Sequence, residues 1–446
     1  MNEQSVIEQI KQSSDDRVKV AITDIDGILR GKIIHRDKFL SALESGAGFC
    51  DVIFGWDMAD VAYDNAKVTG WHTGYPDATF HFDLKTFRTI PWDENVPFIL
   101  GDFSQAKSSV CPRTLLKKII AKATSMGLET RFSQEFEWYN FEETAASLAE
   151  KNHQNPKPLT SGMFGYSLLR ASQNSGYFND LFTLLNEFQV PIEGLHTETG
   201  PGVYEAAIKY SDILEAADRA VLFKSSVKEI ASKYGITASF MAKWNQSLPG
   251  CGGHIHQSLW RDGKNIFYSE KAESHISDEM RSFIAGQLLL LPILLPMYAP
   301  TINSYKRLVE GAWAPTTLTW GLDNRTTALR VINPSESASR VELRVPGSDV
   351  NPYLAMAAAL ASGLYGVEQK LKLQSQTKGN GYRDSSNGIL PSSLLEATAN
   401  MKKSSLVREL LGDEFVNHFT GTREWECRQY ASQVTDWELK RYFEII

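Results

Sequence analysis

Short apolar, β-like runs are separated by turns through the first hundred residues, and longer stretches with helical apolar patterns follow after that. Val18 to Ile25 and Phe98 to Asp102 read as strands between turns rich in Gly, Pro and Asp, the texture of a small α/β unit. Further on, Pro112 opens an amphipathic helix through roughly Ala123, and helices are predicted over Gly202 to Lys233, Asp278 to Leu295 and Asn351 to Lys372. Between them, Thr130 to Tyr139, Thr237 to Met241, Gly253 to Trp260, Thr316 to Gly321, Thr327 to Val331 and Arg340 to Val345 read as strands. This interleaving predicts an α+β fold with an antiparallel sheet backed by helices, and the change of texture places a boundary between residues 103 and 112. The polar Gln374 to Asn387 predicts an exposed loop before the C-terminal helices.

A chain of 446 residues exceeds the length at which one core usually stops growing, so at least two domains are expected. The net charge of -7, with Lys and Arg scattered, offers no basic footprint for nucleic acid or an anionic membrane, which leaves small molecules as the expected partners. Cys50, Cys111, Cys251 and Cys427 are too few and too far apart for a disulfide framework or a Cys-rich zinc site. The N-terminal residues lack an apolar signal core, and the longest apolar run, near Ile284 to Tyr298, is broken by Gly286, Pro292 and Pro296. A cytoplasmic, soluble protein is expected.

Three pairs of functional side chains lie two residues apart: Glu135 with Glu137, His254 with His256, and Glu342 with Arg344. On a strand, residues i and i+2 share a face, so each pair would project into one site. A single such pair is equally at home on a solvated face. Here Phe132, Phe136, Trp138 and Tyr139 surround the acids, and Gly250, Gly252 and Gly253 precede the imidazoles. Charges near apolar walls and bare backbone need partners or metals. A fourth element, His196 through Glu205, sets Glu198 and Glu205 on either side of a Gly-Pro-Gly turn predicted to lead into a helix. Glu205 there reads either as a site carboxylate or as a helix-start acid favoured by the dipole.

Taken together and in order, these segments resemble the glutamine synthetase family over nearly the whole chain. The resemblance also rests on Asp26 to Lys32, Gly74 to Asp77, Gly250 to Ser258, Asn303 to Arg307, Asn324 to Arg330, Arg340 to Pro346 and Asn351 to Tyr353. It implies an ATP-dependent ligase that activates the γ-carboxylate of L-glutamate as γ-glutamyl phosphate and passes it to an amine. Glu137, Glu198 and Glu205 match the ligands of a first cation, and Glu135, His254 and Glu342 those of a second. Oxygen donors with one imidazole and no thiolate suit Mg²⁺ or Mn²⁺. Arg307 matches the arginine that binds the glutamate α-carboxylate, beside Gly250, and Arg344 the one near the γ-carboxylate. Arg325, Arg330 and Arg340 match phosphate-facing positions, with Arg325 the expected transition-state stabiliser; Tyr210, His256 and Ser258 match nucleotide contacts. The resemblance further implies a β-grasp-like domain over 1–105, a catalytic domain over 106–446, and a dodecamer of two hexameric rings in which a neighbour's N-terminal domain completes each site.

The chain departs from the family pattern where the second substrate is chosen. Ammonia-using members carry Gly-aromatic-Glu-Ala-Pro, whereas this chain has Gly311-Ala312-Trp313-Ala314-Pro315. An indole cannot take a proton from ammonium, although its face holds an alkylammonium by cation–π attraction. The expected acceptor is therefore bulkier, a polyamine such as putrescine or a small alkyl or hydroxyalkyl amine; plain packing of Trp313 is the competing explanation. Ammonia use, and a non-catalytic structural role of the kind some relatives have, are the alternatives. In the first domain, Phe54-Gly-Trp56-Asp57 replaces the usual ammonia-site segment, so Asp57, or else Asp60 or Asp64, is expected to complete the amine site.

Overall fold

The structure, a computed structural model, describes residues 2–103 and 109–446; the boundary expected at 105 and 106 lies outside the described residues. Two sheets organise the chain. The first runs in the order Leu29–His35, Arg17–Thr23, Val96–Phe103, Asp77–Phe82, Ala47–Cys50, with Arg88–Ile90 also paired to Val96–Phe103. Its two-residue period serves two cores: Val18, Val20, Ile22 and Ile99 join a small cluster with Phe39, Phe54 and Phe80, while Ala21, Phe98 and Leu100 join the main one.

The second sheet runs Trp320–Leu322, Leu329–Ile332, Arg340–Leu343, Gly253–Arg261, Glu129–Phe141, Val203–Ile208, Ile192–Thr197. Its path is antiparallel except at the first pair, which is parallel. Alternation again sets the faces. Phe132, Phe136 and Trp138 pack with Phe223 and Val227 of the helix Ile213–Ser232, the Phe136 and Phe223 rings stacking at 5.8 Å. The intervening Ser133, Glu135 and Glu137 face a cleft.

Helix Pro352–Glu368 packs against Asp278–Tyr298 and Pro112–Ser125 behind the sheet. Helix Asp278–Tyr298 is long and apolar enough to cross a membrane by length and composition, but 72% of its most apolar window is buried within the protein, and it carries Pro292 and Pro296 inside it as a core helix.

Two expectations need correction. The helix predicted from Gly202 starts only at Ile213, because Val203–Ile208 is a strand paired on both sides. The loop 374–387 is partly tied down: it holds a 3₁₀ turn at Gly381–Arg383, and Thr377 is buried.

Candidate active site

Register across the second sheet assembles the site. His254 pairs with Glu135 and His256 with Ser133; Glu342 pairs with His256 on the other side, and Arg330 with Glu342 beyond it. Glu137 pairs with Glu205, and Glu205 with His196. Because neighbouring residues in a ladder share a face, these pairings set acids, imidazoles and an arginine side by side. Glu205 reaches this row as a strand residue, which rules out its reading as a helix-start acid.

Two adjoining cavities share Glu135. One, of about 300 Å³, is lined by Tyr210, His256, Ser258 and Arg340, all expected nucleotide contacts. The other, of about 460 Å³, is lined by Glu137, Glu198, Glu205, His254, Gly250, Arg307, Trp313, Arg325, Arg330, Glu342 and Arg344. Every expected site residue except Asp57 and its alternatives Asp60 and Asp64 therefore borders one of the two. Asp57 lies outside both in its own chain, where its carboxylate accepts from Trp425 Nε1 at 3.0 Å and from the Ala59 and Val61 amides.

Donor atoms gather in two groups, Glu135 with His254 and Glu342, and His196 with Glu198 and Glu205; within each they lie inside 4.8 Å of one another. In the first, His254 Nδ1 is 3.2 Å from Glu135 and 3.4 Å from Glu342. Burial would raise the Glu342 carboxyl, but Arg344, His256 and His254 draw it down to about 2. In the second, His196 stands where the sequence pointed to Glu137, which lies across the ladder from Glu205 with its carboxylate accepting from the Gly252 amide at 2.7 Å. Burial and the charges of Glu135, Glu137 and Glu198 push Glu205 up to about 11. Such a crowd of acids cannot all ionise without added positive charge, so the residues fit divalent cations.

The arginines divide by partner. Arg307 is buried, and burial lowers its pKa. Its terminal nitrogens donate to the Val345 and Arg344 carbonyls, at 2.9 and 3.4 Å, which leaves its charge available to an anion. A Cβ on Gly250 would come within 2.6 Å of the Ala242 carbonyl oxygen and 2.8 Å of Arg307 Cγ, so glycine there leaves room for the stem of that arginine. Arg344 and Arg330 both pair with Glu342. Arg340 donates to His256 Nδ1 at 3.2 Å, and Arg325 is exposed at the rim.

The sequence reading missed Tyr166, whose ring lies 4.5 Å from His196 beside the acids. On the nucleotide side it missed Trp260, Arg131 and Glu193. Trp260 could have been found from its spacing, four residues beyond His256 on the same strand and face. Tyr166 lies in an irregular segment with no periodic signal.

A family model described as "Glutamine synthetase, catalytic domain" matches residues 109–442. A type-1 glutamine synthetase 2 from Dictyostelium discoideum is 56% identical over 100% of this chain and 87% of its own. A glutamate–isopropylamine ligase from Pseudomonas sp is 38% identical over 98% and 97%. A solved GmaS/ADP complex superposes with a TM-score of 0.85 at 25% identity, covering 98% of this chain and 99% of that one. ATP and divalent metals serve ligases of this kind, and the chain supplies acid-and-imidazole groups suited to such metals. On the match across its length and the assembled cleft, the chain belongs to the glutamine synthetase family and is an ATP-dependent ligase.

Proposed function

We propose that this ligase joins the γ-carboxylate of L-glutamate to an amine larger than ammonia. The observation that carries the reading is Trp313: an indole lines the glutamate-side cavity at the position where a proton-accepting carboxylate serves ammonia. With Tyr166 it gives that cavity aromatic surface, suited to an alkylammonium. The isopropylamine-using relative supports the same class of acceptor.

In this reading Arg307 holds the glutamate α-carboxylate beside Gly250, and Arg344 steadies the γ-carboxylate. Arg325, Arg330 and Arg340 face the phosphates, with Tyr210, His256 and Ser258 along the nucleotide. Glu135, His254 and Glu342 would hold one cation, and Glu137, Glu198 and Glu205, with His196 beside them, another. When bound, Mg²⁺ or Mn²⁺ supplies charge neutralisation during phosphoryl transfer. The retained acids argue against a non-catalytic role.

Units 1–105 and 106–446 act as two domains in an assembly of two hexameric rings, with Asp57, Asp60 or Asp64 presented to the neighbouring chain's acceptor site. The exposed Phe164, Tyr166 and Leu168 beside the cleft support a covering neighbour. Ammonia use is the second reading, favoured by the relative named a glutamine synthetase. Phosphate release from ATP and glutamate, measured with ammonium, isopropylamine, ethanolamine and putrescine, decides between them. An alkylamine is expected to give the highest kcat/KM, and turnover with ammonium alone would sink the proposal.

A further inference from the structure

The loop that carries Trp313 is held in an awkward shape. Gly311 lies at φ +79 and Trp313 at φ +56, both in the left-handed region. Glycine visits that region freely and tryptophan does not, so the conformation persists only where the surroundings enforce it. The indole supplies little of that hold, because Trp313 is 59% exposed.

Tyr382, from the segment 374–387, has its hydroxyl within reach of the Trp313 backbone N–H. Its phenolic oxygen is shut off from solvent without a completed hydrogen bond. Burial raises its pKa against the opposing influence of Arg344, Arg307 and the Trp313 backbone N–H, so the hydroxyl stays neutral and has a lone pair free for a donor. The segment behind it is fixed. The Gly381 amide donates to Thr326 Oγ1 and Thr317 Oγ1 to the Gly381 carbonyl, both at 2.8 Å; Asn324 Nδ2 donates to the Gly379 carbonyl at 2.8 Å. A Cβ on Gly381 would sit 2.4 Å from the Thr326 carbonyl oxygen, so this post has no slack. Tyr382 is not among the residues lining the cavity, and any effect on substrate passes through the loop.

We infer that Tyr382 is a positioning residue for acceptor choice: its hydroxyl accepts the Trp313 amide as the loop closes, fixing the indole beside the incoming amine. This rests on the reading of Trp313 as the acceptor wall.

Tyr382→Phe removes one oxygen and keeps the ring. The KM for the best amine should rise about threefold to tenfold, the worth of one neutral hydrogen bond, while the KM values for ATP and glutamate stay put. Hydrogen exchange of the peptide spanning 308–316, with ADP and glutamate present, should quicken. In a Trp313→Ala background the same change should leave the amine KM nearly untouched. Unchanged amine KM and unchanged exchange would overturn the inference, as would a fall in kcat with every KM constant, or a full effect persisting without the indole. If the unaltered enzyme turns over ammonium alone, the acceptor proposal falls by itself; the ammonium KM and the exchange rates then decide Tyr382 separately.

Discussion

Arg113, at the junction of the two sheets, is ringed by Asp83 at 2.9 Å, Asp102 at 2.7 Å and Asp218 at 2.8 Å, and Tyr353 donates a further hydrogen bond to Asp218. In the cleft, Glu135, Glu137, Glu198 and Glu205 crowd together until Glu205 holds its proton up to about 11. Both places bury charge, but at the junction each carboxylate meets Arg113 directly, with Lys117 joining Asp83 and Asp102, whereas among the described residues no Lys or Arg pairs with Glu135, Glu137, Glu198 or Glu205. A closed network ties the first sheet to the helices Ile213–Ser232 and Pro352–Glu368, whereas the open one is built for charges that arrive with the substrates. Stability should therefore depend on the first and activity on the second.

Breaking the junction should give the largest effect. Arg113→Met strands Asp218 in the interior without its cation, and losing one partner of a buried pair costs about 3–5 kcal/mol. Urea unfolding should show that loss, while molecules still folded keep their amine and glutamate KM values. A normal urea midpoint would show that the network carries no stability.

The reverse outcome is expected in the cleft. Glu205→Gln replaces an acid already held protonated in the absence of cation, so stability measured with a chelator should equal that of the unaltered protein. Turnover should fall by at least about a hundredfold, the upper range for lost support around a metal. The rise in Tm on adding Mn²⁺, which binding to the folded state alone produces, should shrink with it. A large loss of stability in chelator would place Glu205 with the structural acids.

The same contrast explains how much could be read from the sequence. Glu135 with Glu137 and His254 with His256 were legible because a strand's period of two turns spacing directly into a shared face. Glu205 was identified, but on the wrong element: alanine and glutamate after Gly202 favour helix, and only pairing with Glu129–Phe141 and Ile192–Thr197 makes Val203–Ile208 extended. His196 joins the acids through that ladder and Tyr166 through an irregular segment, both contacts of tertiary origin. The closed junction left no local trace either, since Arg113 meets Asp218 across 105 positions.

Lys224 sharpens the contrast most finely, because it is a half-buried charge resolved neither by a carboxylate nor by an arriving ligand. Its Nζ donates to the Val350 carbonyl at 2.8 Å and lies 5.7 Å from the rings of Phe136 and Phe240. Burial, with help from Lys228 and against Asp349, lowers its pKa from 10.5 to about 7. Between those values the unfolded chain binds the proton and the folded protein does not, so this residue makes stability rise with pH across the window and imposes its full penalty below about pH 7. Lys224→Met removes that term while keeping much of the apolar stem. The variant should therefore gain on the unaltered protein as pH falls from 10.5 toward 7, read as converging or crossing urea midpoints. A midpoint difference that stays constant with pH would mean that Lys224 keeps its proton in the folded protein, with the Val350 carbonyl and the two rings as sufficient partners.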